Sequence, residues 1–126
     1  MTEWRWVAPE VVFAVHDRQI AEHGGLAGVR DAGAVDSALA PPRHLAAYGE
    51  PDASALAAAY AFGIARNHGF ADGNKRAAWI VARVFLANNG CPLAFDKADA
   101  IQVVEALAAG RVSEEDMAAW FRARLT

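Results

Sequence analysis

HGFADGNKRAAW, residues 68–79, places a histidine, an aspartate, two glycines, an asparagine and two cations between two alanine-rich, apolar runs. On one side lies PDASALAAAYAFGIARN (51–67), and the segment from Asn74 continues as NKRAAWIVARVFLANNG (74–90). Both runs have helical length and pattern, and around 53–65 and 77–87 they are apolar on nearly every face. A surface helix would carry a polar stripe, so these two predict central helices packed on several sides. The chemistry-bearing loop therefore joins the two most buried elements. Held by the core at both ends, it has the rigidity that catalytic groups need.

Outward from this junction the pattern stays helical, with no convincing strand alternation. Pro9 suits a first helical turn, and Val11, Val12, Val15 and Ile20 recur at helical spacing until HGGLAG (23–28) interrupts them. Asp31 is expected to open a short helix through Leu39, stopped by Pro41 and Pro42. Asp52 stands near the start of the first central helix and Asn67 or His68 near its end, while Gly90 and Pro92 close the second. Asp96 is the expected cap of a fifth helix ended by Gly110, and Ser113 with Asp116 has capping-box spacing for a sixth. No repeats or interdomain linkers are evident. Residues 1–126 are expected to form a single all-α domain.

Composition limits the function classes. Of 126 residues, 55% are hydrophobic and 21% charged, which fits a globular chain rather than a disordered one. The formal net charge of −3 provides no global basic field, so direct DNA binding is not expected. Cys91 is the single cysteine, without a disulfide partner, and reads as a small core residue. MTEWRWVAPE lacks a signal-peptide core and no run approaches a membrane span, so a cytoplasmic protein is expected.

The loop itself favours phosphate chemistry. A helix starting near Asn74 leaves its first backbone N–H groups without intrahelical partners at the positive end of its dipole. Gly73 permits a tight turn just before it. Lys75 and Arg76 add full positive charge, which together with the amides makes a nest for phosphate oxygens. Asp72 offers a hard carboxylate of the kind that serves magnesium beside phosphates. His68 can accept a proton near neutral pH and so activate a hydroxyl. Phe70 is expected to point into the core. Each residue alone also has an ordinary reading: a helix-end cap for His68, a turn for Asp72–Asn74, a solvated pair for Lys75 and Arg76. Their coincidence in one anchored loop is what favours phosphate.

HGFADGNKR resembles the signature loop of the Fic/Doc (Fido) superfamily, written H-x-F-x-[DE]-[AG]-N-x-R, and Lys75 before the arginine resembles the Doc branch. HDRQIAEHGGLAGVRD (16–31), AYAFGIARNH (59–68) and FLANNG (85–90) resemble further Doc segments, so the resemblance covers almost the whole chain. It implies a compact Fido helical bundle and transfer of part of a nucleoside triphosphate, with magnesium, onto a protein hydroxyl. Most Fic proteins transfer AMP; Doc toxins transfer the γ-phosphate of ATP to a threonine of elongation factor Tu and stop translation. By motif position the resemblance implies His68 as general base and Asp72 as the magnesium ligand. It implies Gly73, Asn74 and the following backbone as the anion hole, Lys75 and Arg76 as phosphate-holding groups, and Arg66 as a contact to substrate or nucleotide.

Two departures from the AMP-transferring pattern G-N-G-R-x-x-R bear on the reaction. Lys75 stands where that pattern has its second glycine, and Trp79 where it has its last arginine. Lysine brings bulk and charge where backbone would approach phosphate, and tryptophan cannot neutralise an oxyanion. Kinase chemistry is thus expected over AMP transfer. Gly73 matches Fic where phage-type Doc has alanine, and Gly69, where Fic often has proline, is expected to loosen the loop slightly.

Inhibitory helices of Fic proteins follow [ST]-x-x-x-E-[GN], and Thr2, Ser37, Ser54 and Ser113 all lack the glutamate. Restraint is therefore expected from another chain, a Phd-type antitoxin whose tail folds as a helix into an apolar groove. Trp4, Trp6 and Phe13, in and near the N-terminal helix, are candidates for one wall, with the core as the alternative place for Phe13. A catalytically silent antitoxin-binding homologue is the competing non-enzymatic class. Intact His68, Asp72, Asn74 and Arg76 speak against it.

Overall fold

Four helix starts in this chain are set by short polar side chains that accept from backbone N–H groups left free in the first turn. In a computed structural model that describes residues 3–126, Asp31 accepts from the Ala34 N–H, Asp52 from Ala55, Asp96 from Ala98, and Ser113 from Asp116. Ser113 and Asp116 form the full reciprocal capping box. Pro9 opens the first helix at a position where its missing N–H costs nothing. The helices are α1 (Pro9–His23), α2 (Ala32–Tyr48), α3 (Ala53–Asn67), α4 (Asn74–Asn88), α5 (Lys97–Ala108) and α6 (Glu114–Arg122). Among the described residues the strand-like pairings are two isolated antiparallel bridges, Val29 with Phe70 and Leu93 with Leu125. The all-α expectation holds. No described helix is long and apolar enough to cross a membrane.

One boundary departs from expectation. α2 does not stop at Leu39 but continues through Pro41 and Pro42 to Tyr48. The two prolines forfeit backbone hydrogen bonds, yet Pro42 is buried and joins the face that α2 packs on α3. The carbonyl of Ala38, which Pro42 cannot serve, faces Gly63 on α3, where a Cβ would come within 2.8 Å of it. Glycine there allows the two helices to close on each other. Tertiary burial outweighs the local break.

The two helices flanking the loop are central but unequally so. α3 packs against α2, α4, α5 and α6, and its residues from Leu56 through Ala65 are mostly inaccessible to solvent. α4 buries Ala77, Ala78, Val81, Ala82, Phe85 and Leu86 against α3 and α1, while Arg83, Ala87 and Asn88 face solvent. Phe85 sits under three rings: Trp4 at 5.9 Å, Trp6 at 6.0 Å and Tyr60 at 5.3 Å between centroids. Trp4 and Trp6 lie in an N-terminal arm that precedes α1. Asn89 clamps that arm by exchanging hydrogen bonds with the Arg5 backbone, and the Val7 N–H donates to the buried Tyr60 hydroxyl.

Asp52 has a second task. Besides capping α3, it takes a two-pronged hydrogen bond from Arg122 on α6, Nε to Oδ2 at 2.7 Å and a terminal nitrogen to Oδ1 at 3.1 Å. The Arg122 hydrogen bond, aided by the Ala55 N–H, holds the Asp52 carboxyl below the usual range despite some desolvation. Both side chains are about half exposed, so solvent screening keeps the contribution of the ion pair small. Because the folded state favours the ionised form, this contribution is complete above pH about 4. It fades as pH falls through the depressed folded value. Asp52→Asn, which keeps a capping oxygen, should therefore lower stability slightly at pH 7 and converge with the parent in strongly acidic urea titrations. A difference that persists unchanged at low pH would contradict the pairing.

Candidate active site

The loop between α3 and α4 is pinned on every side. Its Gly69 carbonyl accepts from both the Arg30 and Asp31 N–H groups at 2.9 Å, and the Ala71 N–H donates to the Gly28 carbonyl. Asn74 grips the Phe70 backbone with both ends of its amide, accepting from its N–H and donating to its carbonyl, each at 3.1 Å. Phe70 is 2% exposed, stacked flat on His16 and edge-on to Phe13. It points into the core as the sequence predicts. Gly69 does not loosen the loop: a Cβ there would lie 2.5 Å from Val35 Cγ2, so glycine is the residue that lets the loop seat on α2.

That pinning aims the start of α4 outward. Gly73, the residue before the helix, is left-handed (φ 76°) and provides no side-chain cap. The first backbone bond of the helix runs from the Ala77 N–H to the Gly73 carbonyl, so the amides of Asn74, Lys75 and Arg76 have no intrahelical acceptor. α2, α3, α5 and α6 all begin with an Asp or Ser acceptor; α4 has neither such a cap nor an acidic residue in its first turn. It has Lys75 and Arg76, both exposed. The Lys75 ammonium lies 4.0 Å from Glu105 on α5, a long contact between half-exposed groups that leaves it free to meet a stronger anion.

Asp72 borders the same amides. Its Oδ2 accepts from the Leu26 N–H at 3.2 Å and its Oδ1 from the Gly73 N–H at 2.8 Å. These two backbone donors, Leu26 first, hold the carboxyl below its ordinary range, and the positive charge of Arg76 adds to them. The side chain is exposed, so each oxygen keeps lone pairs for a cation. Among the described residues no three His, Cys, Asp or Glu side chains converge as a metal cage. A single carboxylate beside free helix-start amides is a group that could hold magnesium, an ion typically bound by one or two carboxylates together with substrate phosphates.

His68 closes α3 in a left-handed conformation (φ 51°, ψ 42°) and is the one non-glycine residue with positive φ among those described. For a histidine this costs about 1–2 kcal/mol, and such strain concentrates at functional positions. Its side chain is exposed. Arg66, in the last turn of α3, lies exposed with its guanidinium over the Phe62 ring at 5.2 Å. Trp79 packs in an aromatic cluster with Phe95, Trp120 and Phe121. Within residues 68–76, then, His68, Asp72, Lys75 and Arg76 are all exposed, and Asp72 lies beside the free amides that open α4. The Asn74 side chain is committed to Phe70, so its part in anion binding would fall to its main-chain N–H.

Sequence reasoning passed over two contributors. His16 on α1 is 1% exposed, and its Nε2 lies 2.7 Å from the Asp72 carbonyl. The Gly24–Gly28 turn supplies the Leu26 donor, and a Cβ at Gly25 would lie 2.7 Å from Asp72 Oδ2. A signal for His16 was available: it falls one helical turn after Val12 on the buried face of α1, where a polar residue needs a partner. Nothing local names that partner, 56 residues away.

An all-helical domain with an uncapped, cation-flanked helix start after a strained histidine belongs to a class that can be named by comparison. Residues 6–86 match the Fic/DOC family, and the chain belongs to it. It is 34% identical over 115 residues to the protein kinase doc of Escherichia phage P1, covering 90% of each chain. It is 46% identical over 76 residues to the toxin Doc of Mycolicibacterium smegmatis, covering 58% of each. Within the family, the chain is Doc-like.

Proposed function

We propose that the protein is a Doc-type toxin, a protein kinase that transfers the γ-phosphate of ATP to a threonine of elongation factor Tu and so inhibits translation. The observation that carries this reading is the start of α4: three unpartnered amides, no acidic residue in the first turn, and two cations, bordered by Asp72, with His68 exposed in the same pinned loop. The names of its relatives, a protein kinase and a toxin, support the same class.

In this reading the amides of Asn74, Lys75 and Arg76 receive the phosphate oxygens, and the Lys75 and Arg76 side chains neutralise charge on the group in transit. His68 takes the proton from the attacking hydroxyl at an imidazole nitrogen. Asp72 would hold magnesium, which when bound would offset the negative charge of the phosphates. The chain's contribution is position and field, since phosphoryl transfer asks little covalent chemistry of the protein. Restraint would come from a Phd-type antitoxin. The packing of Trp4 and Trp6 on Phe85, and of Phe13 on Phe70, gives those rings a core role that any groove-wall role would share.

Phosphoryl transfer is favoured over AMP transfer because Trp79, in its aromatic cluster, offers no charge for the far end of a triphosphate, while Lys75 fills the place of a glycine. Incubated with elongation factor Tu, magnesium and γ-labelled ATP, the protein should label the factor. With α-labelled ATP it should not. Label from the α position would make the protein an AMP transferase; label from neither would leave the silent homologue.

A further inference from the structure

We propose that His16 is a positioning residue for Asp72, holding the Asp72–Gly73 peptide so that the carboxylate is presented to the metal. The inference rests on the reading of Asp72 as the magnesium ligand. His16 is on α1, outside the signature loop, yet its Nε2 reaches the Asp72 carbonyl at 2.7 Å. A carbonyl can only accept, so Nε2 carries the hydrogen and donates. The opposite end of the same planar peptide is the Gly73 N–H, which donates back to Asp72 Oδ1 at 2.8 Å. Fixing the carbonyl therefore fixes the N–H that orients the carboxylate. The Leu26 N–H completes the hold on Oδ2.

Two further observations fit this role better than that of a core filler. Nδ1 of His16 is buried without a hydrogen-bond partner, so the ring gives up one polar atom while keeping the bond to Asp72. The ring also lies directly beside Gly73, the left-handed residue that carries the N–H of the same peptide: a Cβ there would sit in ordinary contact with it, at 3.6 Å. The alternative is that His16 is retained for its flat stack on Phe70, with ring centroids 3.8 Å apart and planes within 7°. Substitutions separate the two. His16→Phe keeps an aromatic ring and loses the donor; His16→Gln keeps a donor near the Nε2 position and loses the ring.

The test is manganese binding to the full chain with a non-transferable ATP analogue, followed by electron paramagnetic resonance and independent of turnover. If His16 positions Asp72, His16→Phe should weaken manganese binding by about tenfold, the lower end for lost outer-shell support. His16→Gln should stay within about threefold of the parent. Amide exchange at Gly73 should accelerate in His16→Phe and not in His16→Gln. Parent-like metal binding and Gly73 protection in His16→Phe would overturn the inference, as would the reverse ranking of the two variants. Asp72→Asn serves as the reference. If it binds manganese as the parent does, the metal reading of Asp72 fails and the inference falls with it. If Asp72→Asn loses the metal while His16→Phe keeps it, the inference alone fails. Should His16→Phe not fold, the long-range proton–nitrogen spectrum of the parent decides: a ring whose Nε2 bears no hydrogen contradicts the donor role.

Discussion

Replacing His68 with alanine should lower transfer to the protein target by at least about 10²-fold, the lower range for loss of a general base. In barrier terms that loss is about 2.7 kcal/mol or more. Asp72→Ala should slow transfer by a similar factor, since it removes the carboxylate proposed to hold the metal against the phosphates. Neither change should unfold the protein, because both side chains are exposed. His68→Asn is the sharper version of the first. Asparagine tolerates the left-handed backbone that His68 adopts, so it keeps the loop's path while removing the imidazole. Loss of transfer in His68→Asn with unaltered thermal unfolding assigns the effect to chemistry; undiminished labelling by His68→Ala, His68→Asn or Asp72→Ala would overturn the role concerned. Asp72 is held below the ordinary carboxyl range by the Leu26 and Gly73 amides. Its protonation should therefore not limit the rate at any pH above about 4.

The second large effect is on stability. Phe85→Ala should destabilise the fold by about 3–5 kcal/mol, the usual range for emptying a buried phenylalanine site. That is a large part of a typical domain's margin of about 5–15 kcal/mol. Phe85 is completely buried, and the rings of Trp4, Trp6 and Tyr60 converge on it. The N-terminal arm would lose its seat, and α4 its outer packing near the end opposite the cradle. The midpoint of thermal unfolding should fall by about 10 °C or more. A chemical denaturation series placing the loss below about 1 kcal/mol would contradict this view of the aromatic centre.

Much of this arrangement is legible in the sequence, for reasons that are local. Asp31, Asp52, Asp96 and Ser113 announce their helices because a cap is satisfied within three residues. The loop stands out because its polar residues are adjacent in the chain and its flanks are apolar. What is not legible depends on contacts made at long range. Pro41 and Pro42 read as a stop, and only the packing of α2 on α3, closed tightly at Gly63, lets the helix run through them. Gly69 reads as slack and is in fact a close fit to Val35. His16 and the Gly24–Gly28 turn come to Asp72 from 56 and about 46 residues away, and no spacing rule links them to it. The proposed site is thus readable in its candidate reacting groups and hidden in its supports.

The free amides at the start of α4 are proposed to grip nucleotide oxyanions. Titration of isotope-labelled protein with ATP and magnesium, read at each backbone amide, would show that grip residue by residue. The largest shifts should fall on Asn74, Lys75 and Arg76, with those of Gly73 and Leu26 following as Asp72 engages the metal. Saturable shifts confined to another surface, with these amides unmoved, would contradict the account.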